Sequence, residues 1–209
     1  MPRLVKPVIP TPPLLVISDR HLARIPLPDL VEAAFKAGLR WFMVREKDLE
    51  EKALGTLVGD IVTRARPYGA LVTVNGNPTV AARHGADGVH LPQGHDVAET
   101  RRITGDGVLI GVSAHNESEA CKAADDGADY VTLSPIFTPT SKPGYGPALG
   151  VDELHRIAVT LPIPVIALGG VTADNSGTCR PSGIAVLGGV MATDDPVAAV
   201  VALLDVSRA

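Results

Sequence analysis

The sequence predicts an α/β chain closed into a single (β/α)8 barrel. Three observations carry that expectation. Short branched-aliphatic runs alternate with helical patterns along all 209 residues, as a parallel sheet with helical crossovers requires. The chain is 45% hydrophobic but only 3% aromatic, a composition suited to strands buried on both faces. Finally, a glycine pair follows each of the last two strand-like runs.

Taken in order, residues 1–13 read as an extended lead-in, because their prolines break any signal-peptide core. Strands are predicted over 14–18, 41–45, 71–74, 88–91, 108–112, 130–133, 164–168 and 184–187. Helices are predicted between them over 27–37, 50–66, 78–84, 97–103, 117–126, 151–159 and 174–179, and a last one over 194–206 closes the chain. GADGVH at 85–90 and GADYVT at 127–132 repeat one grammar, in which glycine ends a helix, Ala-Asp turns and a strand begins. This repeat reads as structural and without chemistry. A doubly wound open sheet is the alternative, but it normally uses fewer strands and leaves the second glycine pair unexplained. One domain, 1–209, is expected.

Composition excludes several function classes. The formal net charge is -4 and no Lys/Arg run exceeds two residues, so no nucleic-acid surface is expected. No apolar stretch reaches the ~18 residues of a membrane span. Cys121 and Cys179 lack CxxC spacing and read as small core residues. A cytoplasmic protein follows, and homo-oligomers are possible. Residues 134–149, SPIFTPTSKPGYGPAL, depart from the rhythm, and a loop of this length in a compact domain is commonly a lid or binding loop.

A barrel builds its site from strand C-termini. Gly169-Gly170 and Gly188-Gly189 end strands seven and eight, where backbone N–H groups and a helix start form a phosphate cup in such barrels. Tight turns alone would also use glycine. Arg45 and Lys47, two apart on leaving strand two, share a side and could clamp phosphate or pyrophosphate; a solvated charge cluster with Glu46 is the bland reading. His115, after strand five, could move protons near neutral pH or merely orient the mouth. His90 reads as structural, His95 has no assigned role, and His21, His84 and His155 read as surface residues. Asn75, Ser141 and Lys142 complete the polar candidates. Glu46 and Asp96 are not grouped as a hard cation requires.

VREKD (44–48), VNGNPTVAARHGADGVHLPQG (74–94), IGVSAH (110–115), SPIFTPTSKPGYGPALG (134–150), IPVIALGG (163–170) and GIAVLGG (183–189) occur in register. Together they resemble the thiamin phosphate synthase/TenI superfamily over nearly the whole chain. The resemblance to synthases implies joining of a pyrimidine pyrophosphate to a thiazole phosphate, with Mg²⁺ on the pyrophosphate and Arg45 and Lys47 holding it. The synthases' Gln before Arg-Glu-Lys is Met43 here. Their two Mg²⁺-ligating aspartates correspond to Gly76 and His95, with Asp96 one residue away.

Asn75-Gly76 and Leu91-Pro92-Gln93-Gly94 instead resemble TenI proteins, which are thiazole tautomerases. The expectation is therefore a metal-free isomerase that aromatises a thiazole phosphate carboxylate, with His115 as proton carrier and no cofactor. The alternatives are a Mg²⁺-dependent synthase and a non-catalytic thiazole or thiamin phosphate binder. The stretch 172–183 is about a helical turn shorter than the family pattern, which implies a stunted seventh helix.

Overall fold

The computed structural model describes residues 6–138 and 147–208. Eight parallel strands close in sequence order: β1 (Leu14–Ile17), β2 (Trp41–Val44), β3 (Leu71–Asn75), β4 (Gly88–Leu91), β5 (Leu109–Ala114), β6 (Tyr130–Leu133), β7 (Val165–Ala167) and β8 (Gly183–Val186). The helices are α1 (Leu27–Lys36), α2 (Glu51–Ala65), α3 (Pro78–His84), α4 (Val97–Thr104), α5 (Glu117–Asp125), α6 (Gly150–Thr160), α7 (Ala173–Ser176), α8 (Gly188–Met191) and α9 (Pro196–Arg208).

Alternation along each strand splits the core in two. Val16, Phe42, Val44, Val72 and Val131 pack outward under the helices. Leu15, Trp41, Met43, Leu109, Tyr130 and Ile166 fill the lumen. The lumen is therefore a packed core with an open rim. Helix starts are specified locally, since the side chains of Asn77, Asp96 and Asn116 accept the N–H groups of Val80, Glu99 and Glu119 to cap α3, α4 and α5.

The barrel floor shows what the repeated Ala-Asp does. Asp87 Oδ2 accepts the N–H of Val72 at 2.7 Å, and Asp129 Oδ2 accepts that of Ile110 at 2.8 Å. Each aspartate thus satisfies a donor of the neighbouring strand and fixes where that strand begins. Asp129 also pairs with Lys6 at 2.6 Å and Arg101 at 2.7 Å, and Ile184 N donates to Pro13 O at 2.9 Å. Residues 6–13 of the lead-in therefore lie under the floor, beside a cleft of about 540 Å³.

Strand positions match expectation within two residues. As the shortened stretch implies, α7 is only 4 residues long and runs into a 3-10 turn, Gly177–Cys179. The short α8 was not expected, because Gly-Gly hides the helical pattern. Cys121 is exposed on α5, contrary to expectation, whereas Cys179 is buried. His155 is only half-exposed rather than a free surface residue, and its Nε2 is buried without a hydrogen-bond partner.

Candidate active site at the barrel mouth

Strand parity decides which side chains reach the mouth. Trp41 and Met43 face the lumen, so Arg45 follows them to the rim on the same side, and Lys47 is exposed in the turn beyond. Glu46 turns the other way and is 5% exposed. Its carboxylate accepts from Ser18 Oγ at 2.6 Å, from Arg20 N at 3.1 Å and from Arg20 Nη1 at 3.1 Å. Arg20 also makes a bidentate pair with Asp48. Glu46 is thus a brace between the loops after β1 and β2, and the bland pairing of Glu46 with Arg45 is not what the chain builds. Arg45 is half-buried, and its guanidinium has no acidic partner among the described residues. A half-desolvated cation without a counter-ion is a place for an anion.

Asn75 ends β3 half-buried, beside Gly76 at φ +71. His90 on β4 is buried in the lumen, as expected of a structural histidine. Burial pushes its imidazole down to about 3, so it is neutral at any ordinary pH. His115 is half-buried just past β5, with Nδ1 2.8 Å from Ser134 O. A carbonyl only accepts, so Nδ1 carries the hydrogen and ties the end of β5 to the end of β6. Its backbone N–H donates to Glu119 Oε2 at 2.8 Å.

The two glycine pairs do different jobs. Gly169 and Gly170 have φ of +92 and +67. An added Cβ would lie 2.8 Å from Pro135 Cα at the first and 2.7 Å from Phe137 Cβ at the second. There the start of the β6 loop presses against the end of β7, with Ile136 N donating to Leu168 O at 2.9 Å and Phe137 N to Gly169 O at 3.0 Å. Gly188 and Gly189 have nothing within 4 Å of an added Cβ. They open α8, so their N–H groups have no acceptor within that helix. Ser141 and Lys142 lie outside the described residues.

The Mg²⁺ that the synthase resemblance implies finds no fitting donors at the corresponding positions. Gly76 offers no side chain, His95 is exposed, and Asp96 spends Oδ1 on the Glu99 N–H at 2.8 Å. Among the described residues no group of three His, Cys, Asp or Glu gathers as a metal site would need. A hard ion that prefers several oxygen ligands is not served here.

One feature of the mouth has no local signal in the sequence: the Ser18–Glu46–Arg20 brace joins residues 26 to 28 apart. Ser113 lies two residues beyond Gly111 on β5 and therefore on the lumen side.

The family model described as thiamine monophosphate synthase matches residues 14–192. A putative thiamine-phosphate synthase of Geobacter sulfurreducens is 36% identical over 188 residues, covering 88% of each chain. The thiamine-phosphate synthase of Chloroflexus aurantiacus is 37% identical over 191 residues, covering 89% of this chain and 88% of its own. Among solved structures, the thiamine phosphate pyrophosphorylase of Pyrococcus furiosus superposes with a TM-score of 0.85 at 29% identity, covering 93% and 95% of the two chains.

These findings overturn the expectation of a TenI-type isomerase and support the transferase alternative. That expectation weighed the loops after strands three and four, Asn75-Gly76 and Leu91-Pro92-Gln93-Gly94-His95 with their missing aspartates, above the likeness of the whole barrel. The chain belongs to the thiamine monophosphate synthase family.

Proposed function

We propose that this chain is a transferase of the thiamine-phosphate synthase type, joining a pyrimidinylmethyl pyrophosphate to a thiazole phosphate. In this reaction the thiazole nitrogen's lone pair forms a C–N bond to the methylene carbon. The C–O bond to pyrophosphate breaks, and the bonding pair departs with the leaving group. The observation that carries the reading is the pair of separate anion-seeking features on one rim. Arg45, with Lys47, follows β2, and the open amides of Gly188 and Gly189 follow β8. Two such features suit a transfer that handles a phosphate that stays and a pyrophosphate that leaves.

In this reading the Gly188–Gly189 amides hold the thiazole phosphate, and Arg45 and Lys47 hold the pyrophosphate as negative charge builds on it. Gly169 and Gly170 shape the wall by letting the β6 loop approach. Asn75 is a further polar contact. His115 has no ring proton to carry in this reaction and serves to hold the β5 and β6 ends together. No divalent ion is resident at Gly76 and His95. The relatives' names, the half-buried Arg45 and the helix-opening amides all support this assignment.

The test is direct. Incubation with both substrates is expected to release inorganic pyrophosphate and thiamine phosphate in equal amounts. Failure to form that product from competent substrates, with Mg²⁺ supplied, overturns the reading. Titration of Mg²⁺ into the ligand-free protein is expected to give no saturable binding.

A further inference from the structure

Residues 45–48, Arg-Glu-Lys-Asp, carry two cations and two carboxylates in alternation. Left to itself, such a turn would satisfy its own charges, and an entering anion would meet a neutral segment. The fold prevents this by turning both carboxylates to one guanidinium, that of Arg20 in the loop after β1. Arg20 Nη1 lies 3.1 Å from Glu46 Oε2, and Nη1 and Nη2 together fork onto the two oxygens of Asp48. The backbone of the same residue joins in, with Arg20 N donating to Glu46 Oε1 at 3.1 Å and to Oε2 at 3.2 Å. At the outer edge His21 Nε2 lies 3.0 Å from Asp48 Oδ2. Asp19, the remaining carboxylate of this loop, is spent on its own turn, where it accepts the His21 N–H at 3.1 Å.

The hold on Glu46 reaches Arg45 itself. Ser18 is fully buried, donates its hydroxyl to Glu46 Oε1 at 2.6 Å and accepts the Arg45 N–H at 2.8 Å. One carboxylate therefore fixes the peptide from which the Arg45 side chain leaves.

The two carboxylates depend on Arg20 to different degrees. Asp48 is exposed, so water and salt screen it. Glu46 is buried, and a buried carboxylate stripped of its cation must find another. Arg45, its neighbour in the chain, is half-buried and has no acidic partner among the described residues.

We infer that Arg20 is a positioning residue for the pyrophosphate end of the site: by taking both carboxylates of the turn, it reserves Arg45 for an oxyanion of the ligand. Arg20 does this without touching the ligand, because its guanidinium is already occupied by Glu46 and Asp48. The inference rests on the assignment of Arg45 to pyrophosphate proposed above.

Arg20→Gln removes the cation but leaves the Ser18 hydroxyl and the backbone N–H of position 20 on Glu46. The carboxylate therefore stays ionised and turns to Arg45. Calorimetric titration with inorganic pyrophosphate is expected to show about tenfold weaker binding, the worth of one hydrogen bond to a charged group. In steady-state assays the KM for the pyrimidinylmethyl pyrophosphate should rise while that for thiazole phosphate stays within about twofold, a split that general loosening of the barrel would not give. Arg20→Gln/Glu46→Gln takes away the competing carboxylate and should recover most of the lost affinity. In Arg20→Gln/Arg45→Ala no guanidinium is left to compete for, so binding should match that of Arg45→Ala alone within about threefold. Arg20→Lys keeps the charge and loses the fork. It should fall between wild type and Arg20→Gln, and it carries the test if Arg20→Gln does not fold. Wild-type affinity in both Arg20 variants, no recovery on adding Glu46→Gln, or a full loss that persists in the Arg45→Ala background overturns the inference and leaves the pyrophosphate site standing. No binding of pyrophosphate by wild type sinks both.

Discussion

Arg45 and Glu46 are adjacent in sequence and opposite in fate, because successive side chains on an extended segment point to opposite sides. Glu46 is consumed by Ser18 and Arg20, which leaves the Arg45 guanidinium for whatever enters the mouth. Arg45→Ala is therefore expected to weaken pyrophosphate binding by about 10- to 100-fold, the worth of a hydrogen bond to a charged group, with little change in thermal stability. Arg45→Lys should recover only part of it, because the ammonium cannot offer a bidentate fork. Calorimetric titration of pyrophosphate into each variant measures both. Equal affinity in all three proteins would remove Arg45 from the site. At this scale the sequence was only partly legible. The candidate residues Arg45, Lys47, Asn75 and His115 could be picked because a strand end marks the rim. Whether Glu46 neutralised its neighbour depended on Ser18 and Arg20, more than two dozen residues away.

Among the elements, the ends of β7 and β8 look alike in sequence and differ in space. Gly170 is glycine because φ +67 and the Phe137 backbone forbid a side chain, whereas Gly189 has open space around it. Gly170→Ala is expected to cost roughly 1–2 kcal/mol for the left-handed backbone and a further ~1–3 kcal/mol of crowding, read as a lower midpoint in urea unfolding. Gly189→Ala should stay within about 0.5 kcal/mol of wild type while weakening thiazole phosphate binding. Were the two variants to behave alike in both measurements, the division of labour between the pairs would be wrong. The elements themselves were largely legible, since short continuous runs of Val, Ile and Leu bounded by Gly, Asn and Asp mark strands and caps. Helix α8 was not, because its first two residues are glycines and its pattern is too short to show a period.

For the molecule as a whole, the barrel's closure was legible from the count of alternating units, and the stitching of its floor was not. Asp129 receives Lys6, Arg101 and the Ile110 amide from three different parts of the chain. Burial alone would raise its carboxyl, but the Lys6 ammonium, the Ile110 N–H and the Arg101 guanidinium outweigh burial and hold it below the usual aspartate value. A depressed folded value means stability that is present above the unfolded value of about 3.9 and is lost as the pH falls through the folded one. Asp129→Asn is therefore expected to be less stable than wild type at neutral pH. The gap should close as the pH drops below about 4, as followed by thermal unfolding across that range. A gap independent of pH would mean that the carboxylate's charge contributes nothing. The same floor has a practical consequence for handling the protein. Because Lys6 and Pro13 are tied beneath the barrel, a bead, sensor surface or carrier protein coupled through the amino end grips the molecule by its base. The opposite rim then faces solvent, and immobilised protein should admit small molecules as readily as protein free in solution.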